Sequence, residues 1–489
     1  MEADTMQQTA LRFDPETYEV RTLERDGKTL VYRAFEHIPY VQYPVHPIQK
    51  LSVYVPETFY EDGGSVNGYT LHTAPIFFPN TVGGYMPGPE EAPGPDFMGR
   101  TNASFYALLH GYVVVSAGVR GRGCRDANSH NCGMAPADIV DLKAAVRWIR
   151  HNKDLLPGNA ERIISNGTSA GGAMSSLLAC TGNHPDYEPY LTALGAAKGR
   201  DDVFGASCYC PITNLDHADM AYEWEFHGIP DYHRMEFVQE NGPKDHPNLL
   251  FGKPPKMRRV DAVMTDEMER CSDLLAPMFP TYFNSLGLHT EDGTALSMNP
   301  DGSGNFTDYI LTHVLTAADK AMAEGKNIME EPGVSDWLTV ENGKAKAADW
   351  KKYVAFRTRM KPAPAFDDIR MGTAETELFG SADQRERHFT EFSMEHDTSG
   401  HPALADAEQI RLMNPMYYIK DARADKAPHV RIRHGAVDRD TSLAISEILY
   451  LSLRAAGVDA DIAHPWGIPH AGDYDLPELF AWIDQIVKE

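Results

Sequence analysis

The feature that most restricts how this chain can fold is a series of short, unbroken apolar runs separated by amphipathic helical patterns. The runs are APIFF at 74–78, GYVVVSAG at 111–118, RIIS at 162–165 and VFGASCYCPI at 203–212. A strand with one wet face alternates polar and apolar residues, so an unbroken run marks a strand covered on both faces, as in parallel sheets flanked by helices. Between the runs, PADIVDLKAAVRWIRHN (136–152) places Ile139, Leu142, Val146 and Ile149 three or four apart, with Pro136 near its start. That is the spacing of a helix burying one stripe. The repetition predicts an α/β fold built on a parallel sheet. The earlier segments KTLVYRAFEHI and IQKLSVYVPE alternate instead and are expected as half-exposed strands.

After Pro211 the rhythm stops. The next buried-strand pattern, HVRIRHG at 429–435, follows more than two hundred residues later, whereas structureless connections rarely exceed roughly 15 residues. The intervening part is rich in charge, Pro and aromatics and holds helical stretches such as NFTDYILTHVLTAADKAMAEG. The expected organisation is a core over 1–220, an inserted, largely helical lid or substrate domain over 221–400, and the second part of the core over 401–489. That last part reads as strand 429–435, a helix over 441–456, the strand DADIAHP and a final helix over 475–488.

With 45 Lys and Arg against 70 Asp and Glu, the formal charge is −25. Such a chain repels phosphate backbones and anionic lipid heads, which disfavours nucleic-acid and membrane-surface roles and leaves neutral or polyphenolic small molecules as partners. The six Cys form no CxxC pair. Cys124 and Cys132, which flank a polar loop, read as free thiols, with a bridge as the alternative in an oxidising compartment. The start MEADTMQQTALRFDPETYEV has neither a basic opening nor an apolar core, and no apolar stretch reaches about 18 residues. This predicts a cytoplasmic protein, or a secreted one whose leader has been removed. No P-loop, dinucleotide fingerprint, HExxH or EF-hand loop is present, so no cofactor and no metal are expected. Nothing in the sequence speaks to oligomeric state.

The chemistry centres on RIISNGTSAGGAMSSLLA, where Ser169 is the middle of Gly167-Thr168-Ser169-Ala170-Gly171 between a predicted strand and a predicted helix. A tight turn there lifts the hydroxyl clear of the backbone, and the flanking glycines let strand and helix pack closely beneath it. A serine hydroxyl needs a general base, and the base needs an orienting acid. Asp438, in the loop GAVDRD after strand 429–435, supplies the acid, with Asp440 as rival; His470, in WGIPHAGDYD, supplies the base, with His464 as rival. The chain order Ser169, Asp438, His470 is that of the α/β-hydrolase fold. Alternatively Asp438 and Asp440 cap the helix starting near Thr441. An oxyanion hole would use the backbone N–H of Ala170 and one from FFPNTVGGYMPGP, where Gly83 is preferred and Gly84 stands close behind. A turn needing positive φ explains those glycines as well. The sequons at Asn102, Asn166 and Asn305 read as incidental.

NGTSAGGAMSS, VGGYMPGP, HGAVDRDTS and PHAGDYDLPELFAWI, together with RMKPAPAFDD and AETELFG in the insertion, resemble the bacterial tannases, or tannin acyl hydrolases. The resemblance implies an α/β-hydrolase fold with a large lid inserted before the acid-bearing strand, and hydrolysis of gallate esters and depsides through a serine acyl-enzyme. It further implies that the three galloyl hydroxyls meet Lys361, Glu375 and Asp440, with Glu377 competing for the place of Glu375. The rival readings are a feruloyl or chlorogenate esterase on the same Ser169, Asp438 and His470, and a non-catalytic binding protein on a hydrolase scaffold.

Overall fold

The apolar runs become the inner strands of a nine-stranded sheet in the computed structural model, which describes residues 11–237 and 257–488. Part of the leader reading (1–10) and part of the expected insertion (238–256) lie outside the described residues. The strands are β1 (Glu19–Arg25), β2 (Lys28–Pro39), β3 (Lys50–Pro56), β4 (Pro75–Pro79), β5 (Val113–Ala117), β6 (Asn159–Thr168) and β7 (Gly205–Tyr209). Two hairpins follow, β8 (Asp231–Phe237) with β9 (Met257–Val263) and β10 (Leu338–Glu341) with β11 (Lys344–Ala348), before β12 (His429–Arg433) and β13 (Asp459–Ala463) rejoin the sheet. The sheet order is β1-β2-β3-β5-β4-β6-β7-β12-β13. The first pairings are antiparallel and all from β5 onward are parallel.

Burial explains this division. Every residue of β5 is buried, and each valine removed from water stabilises the fold by about 1.5–3 kcal/mol. Strand β1 lies mostly exposed at the edge and carries Glu19, Arg21, Glu24 and Arg25, charges that discourage pairing with another chain.

The helices that matter for the site are α1 (Ala103–Leu109), α2 (Ala137–His151), α3 (Ala170–Cys180), α4 (Leu215–Phe226), α5 (Asn305–Ala323), α6 (Ala374–Leu378), α7 (Leu443–Ala455) and α8 (Leu476–Ile486). The expected boundary at 220/221 falls inside α4. Phe279, Phe283, Phe306, Ile310 and Phe366 join the same hydrophobic cluster as Ile76, Phe77, Val114 and Ile164 of the sheet. Residues after β7 are therefore packed into one continuous core, although the chain from 210 to 428 separates two neighbouring strands.

The register of the parallel strands prepares the site. Thr168 pairs with Tyr209, Tyr209 with Arg433, and Arg433 with Ala463. The C-terminal ends of β6, β7, β12 and β13 thus form one level edge, the place where ligands and catalytic groups collect in such sheets. No helix among the described residues is long and apolar enough to cross a membrane.

Candidate active site

Ser169 stands one residue past β6 with φ 62° and ψ −123°. A non-glycine residue held there costs of order 1–3 kcal/mol and persists only when its surroundings fix it. They do so through the backbone: Ser169 N–H donates to the Tyr209 carbonyl at 3.0 Å, and the Ser169 carbonyl accepts from Ala173 at 2.9 Å and Ile212 at 3.2 Å. The glycines around it have a steric reason. A Cβ on Gly167 would strike the Gly171 carbonyl, one on Gly171 would lie 2.6 Å from Asn80 Oδ1, and one on Gly172 would strike the Tyr209 carbonyl. Asn80, just past β4, donates through Nδ2 to the carbonyls of Asn166 at 3.2 Å and Gly171 at 3.1 Å and to Ser175 Oγ at 3.2 Å. Sequence reasoning missed this brace because no local pattern links Asn80 to a turn nearly ninety residues away.

Asp438 is fully buried, and its Oδ2 accepts from His470 Nδ1 at 2.8 Å while its Oδ1 accepts from the Asp440 N–H at 2.8 Å. His434 Nε2 lies 3.4 Å from the same Oδ2. Burial raises the Asp438 carboxyl, yet the facing His470 and His434 hold it far below the usual carboxylate range. His434 itself is pushed down to about 3 by burial, against the opposing pull of Asp438. For His470, burial favours the neutral ring, but the charges of Asp438 and Asp440 prevail and raise it well above 6.5. The His470 loop docks against the elbow, with Gly472 against Thr168 and Asn166 Nδ2 donating to Asp473 Oδ1 at 3.0 Å. About a quarter of the His470 side chain stays exposed.

The rival residues differ in their surroundings. His464 is buried and bonds Glu447 Oε1 through Nε2 at 2.7 Å and the His434 carbonyl through Nδ1 at 2.9 Å, away from the elbow. Neither Asp438 nor Asp440 caps a helix: α7 begins at Leu443, and Ser442 is its cap. Arg357, fully buried, donates to the Asp438 carbonyl and to Glu225, whose other oxygen accepts from Ser442 Oγ at 2.6 Å and the Leu443 N–H at 2.9 Å. This ion pair fixes the acid loop and was invisible in the sequence.

The loop after β4 presents Gly83 and Gly84. A side chain on Gly83 would meet open space, whereas Gly84 has φ 54° and its carbonyl accepts from Arg122 Nε at 2.6 Å. The turn explanation therefore applies to Gly84. Ala170 is the first residue of α3, so its N–H has no acceptor within the helix.

Lys361 and Asp440 come together beside His470, and the charge of Glu375 acts on both. Lys361 Nζ lies 2.7 Å from Asp440 Oδ1 and 4.0 Å above the Phe366 ring. Tyr222 holds both ends: its hydroxyl donates to the Arg439 carbonyl at 2.9 Å and accepts from the Met360 and Lys361 N–H groups. Burial works against the Lys361 charge, but Asp440 and Glu375 outweigh it and raise the ammonium. Burial also dominates at Glu375, 8% exposed, and raises it; Asp440, facing Lys361 and His470, is lowered despite burial. Glu377, the competitor, is occupied by Arg122 at 2.6 Å and Arg385 at 3.2 Å.

Two groups of metal-ligating side chains occur among the described residues. One is Asp438 and His470 with Cys210; in the other, Glu447 Oε1 takes His313 Nδ1 at 2.6 Å and His464 Nε2 at 2.7 Å, separations that hydrogen bonds explain. All six cysteines are buried free thiols, Cys124 and Cys132 included. Two sequon asparagines are buried, Asn102 capping α1 and Asn166 bracing the His470 loop, which leaves neither accessible to a glycan.

The family model BD-FAE matches residues 83–262. Esterase LipC of Mycobacterium tuberculosis is 33% identical over 103 residues, a match spanning 21% of this chain and only 22% of that protein. Solved structures agree over the full length. A tannase from Lactobacillus plantarum is 44% identical, covers 99% of this chain and 100% of its own, and superposes with a TM-score of 0.92. The chain belongs to the bacterial tannase family. A Fusobacterium nucleatum tannase is 42% identical over 98% of this chain and 99% of its own, with a TM-score of 0.90. A tannin acyl hydrolase solved in complex with ethyl gallate is 43% identical over 98% and 99%, with a TM-score of 0.88. The tannase-family fold is the α/β-hydrolase fold, in agreement with the sheet order and the elbow after β6.

Proposed function

We propose that this tannase-family chain is a serine esterase that cleaves galloyl esters and depsides and releases gallic acid. The observation that carries the reading is the placement of Asp440: it is bonded to Lys361 at 2.7 Å and stands 4.0 Å from His470 Nε2. Recognition and chemistry thereby share one short loop. Carboxylates of Asp440 and Glu375 accept hydrogen bonds from phenolic O–H groups, and the Lys361 ammonium donates to a phenolic oxygen. The ethyl gallate complex of a full-length relative supports the same substrate class.

In this mechanism Ser169 Oγ attacks the galloyl carbonyl as His470 takes its proton, with Asp438 holding the imidazole through Nδ1. The N–H groups of Ala170 and Gly83 stabilise the tetrahedral oxyanion. His470 then protonates the departing alcohol or phenol, the tetrahedral intermediate collapses, and a galloyl ester remains on Ser169. Water, deprotonated by the same His470, releases gallic acid and restores the serine. The segment 221–400 acts as the substrate-binding lid because it brings Lys361 and Glu375. Six unbridged thiols favour a reducing compartment, so the reading includes action in the cytoplasm.

A site whose buried polar groups pair with substrate hydroxyls rejects analogues lacking them by up to about 10⁴–10⁵, because its own groups are left unpaired. The test is kcat/KM on methyl gallate, methyl protocatechuate and methyl ferulate. A steep fall across the series is expected. A flat series would leave a serine esterase of the feruloyl or chlorogenate type, and a chain that turns over no ester and whose Ser169 resists an organophosphonate would be a silent scaffold.

A further inference from the structure

One short turn touches all three loops that carry the proposed catalytic groups. It follows β7 and begins at Tyr209, whose carbonyl accepts from Ser169 N–H at 3.0 Å. Cys210 N–H donates to the Arg433 carbonyl at 2.6 Å, at the end of the strand that leads to Asp438. The Cys210 thiol donates to the carbonyl of Ala471, next to His470, at 3.4 Å, and its Sγ lies within 4.8 Å of the nearest nitrogen of His470 and the nearest oxygen of Asp438. Two residues on, Ile212 N–H returns to the Ser169 carbonyl at 3.2 Å. Cys210 is fully buried and holds φ 35°, a conformation unusual for a residue with a side chain. Backbone of this kind survives where surrounding contacts fix it, and such positions cluster at functional sites.

We infer that Cys210 is a positioning residue for the reaction, its thiol fixing where His470 stands between Asp438 and Ser169; this rests on the triad proposed above. The thiol fills the space against the imidazole and donates to the next peptide carbonyl. Removing the sulfur leaves the Ala471 carbonyl without that donor and gives the ring room to move. Cys208, two residues earlier and equally buried, pairs in register with Gly167 and Ile432 and takes no part in these contacts.

The experiment compares Cys210→Ala, Cys210→Gly and Cys210→Ser with Cys208→Ala in the full chain. Glycine tolerates positive φ, so Cys210→Gly stands in if the alanine variant fails to fold. A misplacement of about 1 Å costs up to about 10²-fold. The expected result is a 10- to 100-fold lower kcat for Cys210→Ala and Cys210→Gly, with KM little changed and a displaced acid limb of kcat/KM. Cys210→Ser keeps a donor and should recover most of kcat, while Cys208→Ala should lose stability but stay within about twofold in kcat. The rate at which an organophosphonate labels Ser169 should follow kcat. That reagent carries no galloyl group, so labelling that responds to Cys210 while methyl gallate is untouched would refute the galloyl reading alone. A folded Cys210→Ala or Cys210→Gly with wild-type kcat, acid limb and labelling rate would overturn the inference, as would Cys210→Ser behaving no better than alanine.

Discussion

The two halves of the site are held by different means. Ser169, Cys210 and the strands leading to Asp438 and His470 hang on four level strand ends, braced mainly by peptide groups and by Asn80. Lys361 and Glu375 come from the segment between α4 and α7, where placement depends on buried charges. Arg359 pairs with Glu223, and Asp219 accepts the N–H groups of Phe366 and Asp367 at 2.8 and 2.9 Å. Backbone bracing fixes geometry with little regard to side chains. Charge bracing makes each partner indispensable, because losing one leaves the other buried and unpaired.

This contrast gives a ranked set of tests. Ser169→Ala removes the proposed nucleophile but no brace, so kcat should fall by about 10⁶-fold with an unchanged unfolding curve. Wild-type-like turnover in that variant would end the mechanism. Asp438→Asn should cost about 10⁴-fold in kcat, because the amide favours the wrong tautomer of His470. On the charge-braced side, Arg359→Met leaves the buried Glu223 with the Ser272 hydroxyl at 2.5 Å but no cation and should lower stability by about 3–5 kcal/mol in urea unfolding. Pairing it with Glu223→Gln should recover most of the loss, and a single variant as stable as the parent would show that the pair braces nothing.

The pH dependence sharpens the comparison further. As the proposed base, His470 must be neutral to accept the serine proton, and Asp438 and Asp440 raise it against the effect of burial. Activity should therefore fall as pH drops through a midpoint above 6.5. Asp440→Asn removes one stabilising negative charge and should move that limb down by less than about one pH unit, read from a kcat/KM profile; an upward move would contradict the assignment. The smallest effect is at the surface, where Lys320 and Glu478 join α5 to α8 at 2.6 Å with both side chains more than half exposed. Lys320→Ala should change stability by less than about 1 kcal/mol.

How much could be read beforehand follows the same division. The unbroken runs around β4 to β7, the elbow at Ser169 and the loops of Asp438 and His470 are local patterns, because a parallel strand and a strained turn each demand particular residues in sequence. Asn80, Arg357 with Glu225, Tyr222 and Cys210 carry no such pattern. Each works through a partner distant in the chain, and an isolated Asn or Arg looks the same whether it braces an active site or faces water. The hairpin β10–β11 was missed within a segment read as largely helical, since LTVE and KAKAA are too short for strand periodicity to register, and the charged strands β8 and β9 carry no sustained apolar alternation. Lys361 and Glu375 emerged only through family resemblance, and the buried field they share with Asp440 supplies a physical reason for them.

The most direct test of the account is the ratio of kcat/KM for methyl gallate to that for methyl ferulate, measured for the parent chain and for Lys361→Met. The account predicts a large ratio in the parent, up to about 10⁴, and its collapse in the variant, because Asp440 and Glu375 then face the ring without their shared cation. An equal ratio in both proteins would contradict it, by showing that the charge-braced half of the site does not choose the substrate.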